Sequence, residues 1–262
     1  TELMKSLQFS KDIDFQLVVM NEEIHFKEVL TFGKPIHYLI RSNKKDLSVF
    51  YKFYKLCKEI KPDIVHSWDN MTAVYASAAC TLLSIKFING MITDTMTNKS
   101  FRNKYWVRAR LTFPFSDRII ANSMAGLKSY EAPKSRSSVI YNGFNFNRIE
   151  NLLPSETIRT ELQVSTEIIV GMVASFSPFK DYKTFIKAAE LVLKNDQNII
   201  FLLIGNGTDS NEAKQMISAE NITKFRFLGK KYGVESYINI MDVCVLSSFS
   251  EGISNSIIEY MA

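Results

Sequence analysis

The chain has 262 residues, of which 46% are hydrophobic and 23% are charged, and its net charge is +5. These proportions are typical of globular proteins, and no apolar run approaches the ~20 residues that a transmembrane helix needs. The mild positive charge favours anionic substrates or an anionic membrane surface, and no dense basic stripe predicts nucleic-acid binding. Widely separated Cys57, Cys80 and Cys244 favour reduced core thiols over disulfides or a metal site.

Short apolar runs alternate with amphipathic helical stretches along the chain. Each run is almost continuously apolar, as expected for parallel strands that are covered on both faces. Strands are predicted at 16–20, 35–40, 63–67, 86–89, 118–122 and 138–142, and then at 168–174, 199–205, 224–229 and 243–247. Helices are predicted at 47–60, 181–194, 209–220 and 233–241, the second with an aspartate N-cap.

The alternation of strands and helices, repeated twice, predicts an α/β fold of two doubly wound, Rossmann-like parallel-sheet domains. The polar, proline-containing stretch 144–156 is the predicted linker, so the domains are expected at residues 1–147 and 148–262. The first half lacks an obvious opening strand with a glycine-rich turn, and the second stops within a predicted helix. We therefore expect a fragment that is truncated at both ends, with the second domain incomplete.

Two carboxylates near the C-terminus, Glu251 and Glu259, flank a Gly-Ile-Ser-Asn turn that is expected to open a helix. Backbone N–H groups at such a turn can hold phosphate oxygens, and the carboxylates can bind hydroxyls of two sugar rings. Residues 251–259 would span roughly 12 Å if they were all helical. That is about the reach from a ribose across a diphosphate to a hexose, so the pattern predicts a sugar-nucleotide site.

Several segments follow one another in order over about residues 63–262: Asp63-Ile-Val-His-Ser, Ala121-Asn-Ser, Val139-Ile-Tyr-Asn-Gly, Val170-Gly-Met-Val-Ala-Ser-Phe-Ser-Pro-Phe-Lys-Asp, Phe201-Leu-Leu-Ile-Gly-Asn-Gly and Ser248-Phe-Ser-Glu-Gly-Ile-Ser-Asn-Ser-Ile-Ile-Glu-Tyr-Met-Ala. Together they resemble glycosyltransferase family 4, whose members have the GT-B architecture, and the last looks like that family's Glu-x7-Glu motif. The resemblance implies a retaining, metal-independent transferase without a cofactor. It would move a hexose from a nucleoside diphosphate sugar to an acceptor held by the N-terminal domain, across a cleft with the linker as hinge.

The resemblance also implies the residues of the donor site. Lys180 would hold the diphosphate and stabilise the charge that grows on it, while Glu251 would bind the hexose and Glu259 the ribose. Main-chain groups of Gly252, Ile253, Ser254 and Asn255 would contact the sugar and the diphosphate. Ser175 stands in the donor site where family members commonly carry arginine. A competing interpretation makes Glu259 part of a capping box with Ser256, although the helix is expected to start near Ser254.

Acceptor contacts are predicted in the first half of the chain. His66 ends a predicted strand, where it would contact the acceptor or act as a catalytic group near the transferred proton. Asn89 and Gly90 follow the next strand, at a place where many relatives supply an active-site histidine. Asp94 and Arg102 are nearby polar candidates. The aromatic stretch 105–115 with its flanking basic residues is either a core-facing helix or a contact with a lipid-linked acceptor at the membrane.

The predicted function is hexosyl transfer to a saccharide or lipid-linked acceptor in cell-surface polysaccharide or glycolipid biosynthesis. The expected location is the cytoplasm, with peripheral contact at the inner face of the membrane as an open alternative. One rival function is a GT-B sugar-nucleotide epimerase, which would need further acid/base carboxylates. The other is a catalytically impaired binding or assembly module, which Ser175 and the missing histidine near residue 90 favour.

Overall fold

The computed structural model describes residues 2–22, 24, 27–43, 46–93, 95 and 98–262. Two compact units divide the chain. One comprises residues 1–91, 100–120 and 132–138, and the other comprises 92–99, 121–131 and 139–262. The predicted domain boundary between residues 147 and 148 stays a prediction.

The first half of the chain carries two parallel strand pairings. Strands β1 (Leu17–Val19) and β2 (Ile36–Tyr38) form one small parallel sheet. Strands β3 (Ile64–Ser67), β4 (Lys86–Ile92), β5 (Arg118–Ala121) and β6 (Ser137–Val139) lie side by side in that order, with β3 parallel to β4. The helices here are α1 (Glu2–Leu7), α2 (Ser48–Ile60), α3 (Asn70–Leu83), α4 (Lys104–Thr112) and α5 (Met124–Ser129).

The second half is built around a parallel sheet with the order β10-β7-β8-β9. Its strands are β7 (Ile168–Val173), β8 (Ile199–Ile204), β9 (Phe225–Gly229) and β10 (Val243–Cys244). Its helices are α6 (Ser155–Leu162), α7 (Tyr182–Leu193), α8 (Asn211–Gln215), α9 (Val234–Ile238) and α10 (Asn255–Met261).

Strand β8 shows why this sheet is covered on both faces. All of its residues are buried, and alternate side chains enter two separate hydrophobic clusters. Phe201 and Leu203 pack in one cluster with α7, whereas Leu202 and Ile204 pack in the other with α6 and α9. Each face of the strand therefore buries apolar area against a helix layer, which stabilises the sheet by roughly 25 cal/mol per Å².

Every predicted strand overlaps an observed strand, and the main errors concern their ends and the helices. The strand predicted at 243–247 pairs only at Val243 and Cys244, because side chains of α10 contact β7 beyond that point. The helix predicted at 209–220 is confined to Asn211–Gln215. The predicted linker 144–156 contains a 3-10 helix, Phe146–Ile149, and the first residues of α6.

The cysteines are free thiols in the structure, and Cys57 and Cys80 are buried. Burial raises the pKa of Cys57 to about 11 and that of Cys80 to about 12, so both stay protonated at neutral pH. Within the described part of the chain, no helix combines the length and the apolar character that crossing a bilayer would require.

Candidate functional site

Helix α10 takes the place of a strand beside the carboxyl end of β7. The ladder between β7 and β10 ends where the Val245 N–H donates to the Gly171 carbonyl at 2.8 Å. Two residues further along β7, side chains of α10 replace the strand partner. Ser256 Oγ donates to the Val173 carbonyl at 2.6 Å, and Tyr260 Oη accepts the Val173 N–H at 2.7 Å. The same hydroxyl donates to the Val245 carbonyl at 3.2 Å. Two side chains four residues apart therefore fix α10 against both strand ends.

The loops that follow β7 and β10 are also hydrogen-bonded to each other. The Asp181 N–H donates to the Ser247 carbonyl at 2.9 Å, and the Phe249 N–H donates to the Phe179 carbonyl at 3.0 Å. Lys180 lies between these two hydrogen bonds in an antiparallel bridge with Ser248. The main chain thus places Lys180 close to the loop that carries Glu251.

Lys180 and Glu251 form an ion pair between Nζ and Oε1. Their side chains are only 18% and 29% exposed, so solvent screens this pair less than a surface pair. The Asp181 carboxylate caps α7 by accepting the Thr184 N–H at 3.0 Å, which fixes the start of the helix beside Lys180. Hydrogen bonds from the Thr184 side chain and from its N–H lower the pKa of Asp181. Two residues predicted for the donor site are therefore in direct contact.

Glu259 forms a second ionic contact in the same unit. Its Oε1 accepts a hydrogen bond from Arg148 Nη2 at 2.9 Å, and the same nitrogen contacts Glu235. The capping-box interpretation of Glu259 is wrong, because the N-cap of α10 is Ser254 and the Ser256 hydroxyl is bonded to β7. The expected helix start near Ser254 agrees with this N-cap. Glu259 therefore lies in the second turn, where its carboxylate is paired with a guanidinium.

The turn after β8 supports the loop that leads to Lys180. Gly205 has φ +144°, and a Cβ at this position would lie 2.0 Å from the Ala174 carbonyl oxygen. The Phe176 N–H donates to the Asn206 carbonyl at 2.8 Å. Only glycine fits such a close approach at this φ. Ser175, which replaces the arginine expected from the family, is exposed on this loop.

The segment from Gly252 to Asn255 joins the two carboxylates. Gly252, Ile253 and Ser254 are half-buried, and Asn255 is exposed. The Asn255 side-chain oxygen accepts a hydrogen bond from Asn142 Nδ2 at 2.8 Å. The predicted main-chain contacts of this segment with a sugar nucleotide stay predictions.

His66 lies near the end of β3, and Gly90 lies within the neighbouring strand β4, which runs to Ile92 and not to the predicted end at residue 89. A Cβ at Gly90 would lie 2.7 Å from the Ser67 carbonyl oxygen and 3.1 Å from His66 Nε2, so this position requires close backbone packing. The His66 ring lies 4.6 Å from the Trp68 ring, and burial lowers its pKa. A neutral imidazole at pH 7 can accept a proton, and the predicted acceptor and catalytic roles of His66 stay predictions.

Asn89 has a role within the fold. It is fully buried, and its amide nitrogen donates to the Thr112 and Ser116 hydroxyls at 3.1 Å each, while its oxygen accepts the Met91 N–H. These bonds satisfy the side chain without an acceptor. Its predicted contact with the acceptor, and that of Gly90, stay predictions. Asp94 lies outside the described residues.

The aromatic stretch of α4 presents both kinds of surface that the sequence left open. Trp106 is half-buried with Arg110 over its ring at 5.2 Å, whereas Leu111 and Phe115 are 56% and 52% exposed. Phe101, just before the helix, is 85% exposed.

Among the described residues, no cluster of three or more His, Cys, Asp or Glu side chains could hold a metal ion. Independence from metal stays a prediction.

The sequence did not predict the site contacts of three residues: Arg148 with Glu259, Ser256 with β7, and Tyr260 with β7. The spacing of Ser256 and Tyr260 is a usable signal, because residues four apart share one helix face. Arg148 offers no such signal, since 111 residues separate it from Glu259.

Two family models together match most of this chain. Residues 154–262 match the family described as glycosyl transferases group 1, and residues 10–148 match Glycosyltransferase Family 4. The UDP-Gal:alpha-D-GlcNAc-diphosphoundecaprenol alpha-1,3-galactosyltransferase of Escherichia coli is 23% identical over 229 residues, which cover 82% of this chain and 59% of that protein. The chain thus spans less than two thirds of that relative's length.

Solved structures share the fold. The Anabaena protein HepE in complex with UDP has a TM-score of 0.80 at 19% identity, covering 99% of this chain and 73% of that chain. HepE in complex with UDP-glucose also has a TM-score of 0.80, at 18% identity and with the same coverage of 99% and 73%. The predicted GT-B fold class is confirmed by these likenesses and by the parallel sheets.

Proposed function

This chain belongs to glycosyltransferase family 4, and we propose that it transfers a hexose from a UDP-sugar to a saccharide or lipid-linked acceptor. The observation that carries the proposal is the ion pair of Lys180 with Glu251 beside the helix that bears Glu259. The HepE complexes with UDP and UDP-glucose support uracil as the base of the donor nucleotide. The name of the Escherichia coli relative supports a UDP-sugar donor and a lipid-linked acceptor.

Lys180 can serve the donor without releasing Glu251. Its ammonium carries three N–H donors, so one can stay on the carboxylate while the others reach diphosphate oxygens. The Glu251 carboxylate has further acceptor capacity for the hexose hydroxyls. Since both partners are charged, each contact with the ligand is a charge-assisted hydrogen bond, which is stronger than a neutral one.

Glu259 would bind the ribose hydroxyls through the oxygen that Arg148 leaves available. The guanidinium contacts Oε1, so Oε2 can accept hydrogen bonds from the nucleotide. Lys180, Glu251 and Glu259 would then hold the diphosphate, the hexose and the ribose in that order. The serine at position 175 offers no guanidinium, so stabilisation of the negative charge on the diphosphate depends strongly on Lys180.

In the chemical step, the bond between C1 of the hexose and the diphosphate oxygen breaks, and its electron pair goes to that oxygen. The Lys180 ammonium stabilises the growing negative charge from a fixed position. The acceptor hydroxyl oxygen forms the new bond to C1 on the face that the diphosphate leaves, so the anomeric configuration is retained. The hydroxyl proton passes to the departing phosphate oxygen.

The experiment is a transfer assay with a radiolabelled UDP-hexose, accompanied by calorimetric titration with UDP, GDP and ADP. Lys180→Met should lower kcat by about ten- to a hundredfold, the magnitude expected for losing a charge-assisted hydrogen bond in the transition state. Lys183→Met is the matched control, because Lys183 is an exposed lysine on the first turn of α7. We expect it to keep full activity.

The products separate this function from its rivals. Conversion of the sugar nucleotide without an acceptor product would favour an epimerase. Tight UDP binding without any turnover would favour a binding module. Unchanged turnover in Lys180→Met would contradict the assignment of the diphosphate site.

A further inference from the structure

Arg148 lies between two carboxylates of the second unit that are largely buried. The Glu235 side chain is 7% exposed and the Glu259 side chain is 14% exposed, whereas Arg148 is 42% exposed. Both carboxylates contact the same guanidinium nitrogen, Nη2. The two acids are therefore neighbours that share one cation.

This arrangement has an electrostatic consequence for Glu259. Two neighbouring carboxylates repel each other strongly when solvent is excluded, and without a cation between them one would turn away from the other. The guanidinium offers several N–H donors in a rigid plane and can bond to both acids at once. It therefore holds the Glu259 carboxylate in one orientation beside Glu235.

Arg148 is itself held in place by its surroundings. Its guanidinium lies 5.2 Å from the centre of the Phe144 ring, and that ring packs edge-on against Phe146 at 5.4 Å. Asn145 caps the 3-10 helix that carries Arg148 by accepting the Asn147 N–H at 3.1 Å. The cation reaches the carboxylates from a segment that is already ordered.

Helix packing alone does not fix the Glu259 side chain. Ser256 and Tyr260 anchor the axis of α10 to β7, but glutamate has three rotatable bonds beyond its Cα. Only a contact to the carboxylate itself selects one orientation. A ligand that meets a preset carboxylate does not have to order it on binding, which strengthens affinity.

We propose that Arg148 is a positioning residue for nucleotide binding, which holds the Glu259 carboxylate ready for the ribose. This role rests on the proposed function, because it assumes that Glu259 contacts the nucleotide. Arg148 touches neither the hexose nor the diphosphate in this scheme. Its loss should therefore raise the Kd for UDP and the KM for the donor and leave kcat almost unchanged.

The experiment is calorimetric titration with UDP and steady-state kinetics for Arg148→Met, in the wild-type and in the Glu259→Gln background. We expect Arg148→Met to weaken UDP binding about tenfold or more, as for other charge-assisted contacts, with kcat within about twofold. Arg159→Met is the matched control, because Arg159 lies on α6, donates to the carbonyl of Ser165 just after that helix and should leave UDP binding unchanged.

The Glu259→Gln background separates positioning from simple structural support. If Arg148 acts through Glu259, adding Arg148→Met to Glu259→Gln should cause little further loss of UDP affinity. Equal losses in both backgrounds, or full UDP affinity in Arg148→Met, would overturn the proposal. If Arg148→Met fails to fold, Arg148→Met combined with Glu235→Gln removes the repulsion and gives the same test. A wild-type protein that binds no UDP would instead overturn the proposed function itself.

Discussion

Replacing Tyr260 with phenylalanine tests whether α10 completes the sheet. The substitution keeps the ring and removes one oxygen, which serves the Val173 N–H at 2.7 Å and the Val245 carbonyl at 3.2 Å. Both main-chain groups, which are partly buried, then lose a hydrogen-bond partner. Burial raises the pKa of Tyr260, so its hydroxyl stays protonated and able to donate throughout the neutral range.

The expected loss follows from the number of groups left unpaired. An unsatisfied donor or acceptor costs about 1–3 kcal/mol when it is fully buried. Because these two groups are only partly buried, we expect their loss to lower the free energy of unfolding by ~2–4 kcal/mol, less than twice the full cost. Tyr182→Phe is the matched control. The Tyr182 hydroxyl is also buried, but it donates to one group, the Ala174 carbonyl, at 2.6 Å. Losing that single donor should cost about 1 kcal/mol, since carbonyl groups tolerate an empty lone pair better than amides tolerate a missing acceptor.

Urea denaturation measures both losses by linear extrapolation to water. Calorimetric titration with UDP on the same proteins should show weaker binding for Tyr260→Phe, because Glu259 is the adjacent residue on the displaced helix. A loss for Tyr260→Phe no larger than that for Tyr182→Phe would refute the reasoning. It would mean that Val173 does not depend on the helix for its hydrogen bond.

Two further substitutions test the turn after β8 and the acid stability of the sheet β3-β4-β5-β6. Gly205→Ala should destabilise the protein by about 3 kcal/mol and weaken UDP binding, because the φ is restricted to glycine and the new Cβ overlaps a main-chain oxygen. Gly143→Ala, where a Cβ meets nothing within 4 Å, should stay within about 0.5 kcal/mol in urea denaturation, and equal losses would contradict this. Asp117 accepts the Phe87 N–H and the Lys86 ammonium, which lower its pKa in the folded state. Its stabilisation is therefore complete above pH about 4 and lost as the pH falls through the lowered pKa, so Asp117→Asn should flatten the decrease in Tm below about pH 4, and an unchanged slope there would count against it.

The strands of the second unit were predictable because the sheet β10-β7-β8-β9 buries its central strand completely. A strand covered on both faces must be apolar at successive positions, and β8 follows that rule at every residue. Helix α3 was missed for the related reason that it is buried on more than one side. Its small residues, among them Ala73, Ala76 and Ala79, pack against their neighbours without forming a single apolar stripe. Periodicity detects half-buried helices and overlooks those that are enclosed.

The candidate site was predictable where sequence neighbours determine it. Lys180 and Glu251 follow predicted strands, and parallel strands bring their carboxyl ends to one edge of the sheet. The length of the last strand was wrong because Val245 is as apolar as a strand residue, although its carbonyl bonds to Tyr260. The contact of Arg148 with Glu259 depends on tertiary packing between distant segments, which no local pattern encodes.

The order of the strands in the second unit has a consequence for where a ligand can lie. From β7 the chain continues to β8 on one side, whereas β10 lies on the other side. This is a topological switch point. The loops from two neighbouring strands leave in different directions there, which is expected to open a crevice at the carboxyl ends of β7 and β10. The crevice follows from connectivity, so we expect substitutions in the loops 174–180 and 246–254 to change which sugar the proposed donor site accepts and to leave the position of the nucleotide unchanged.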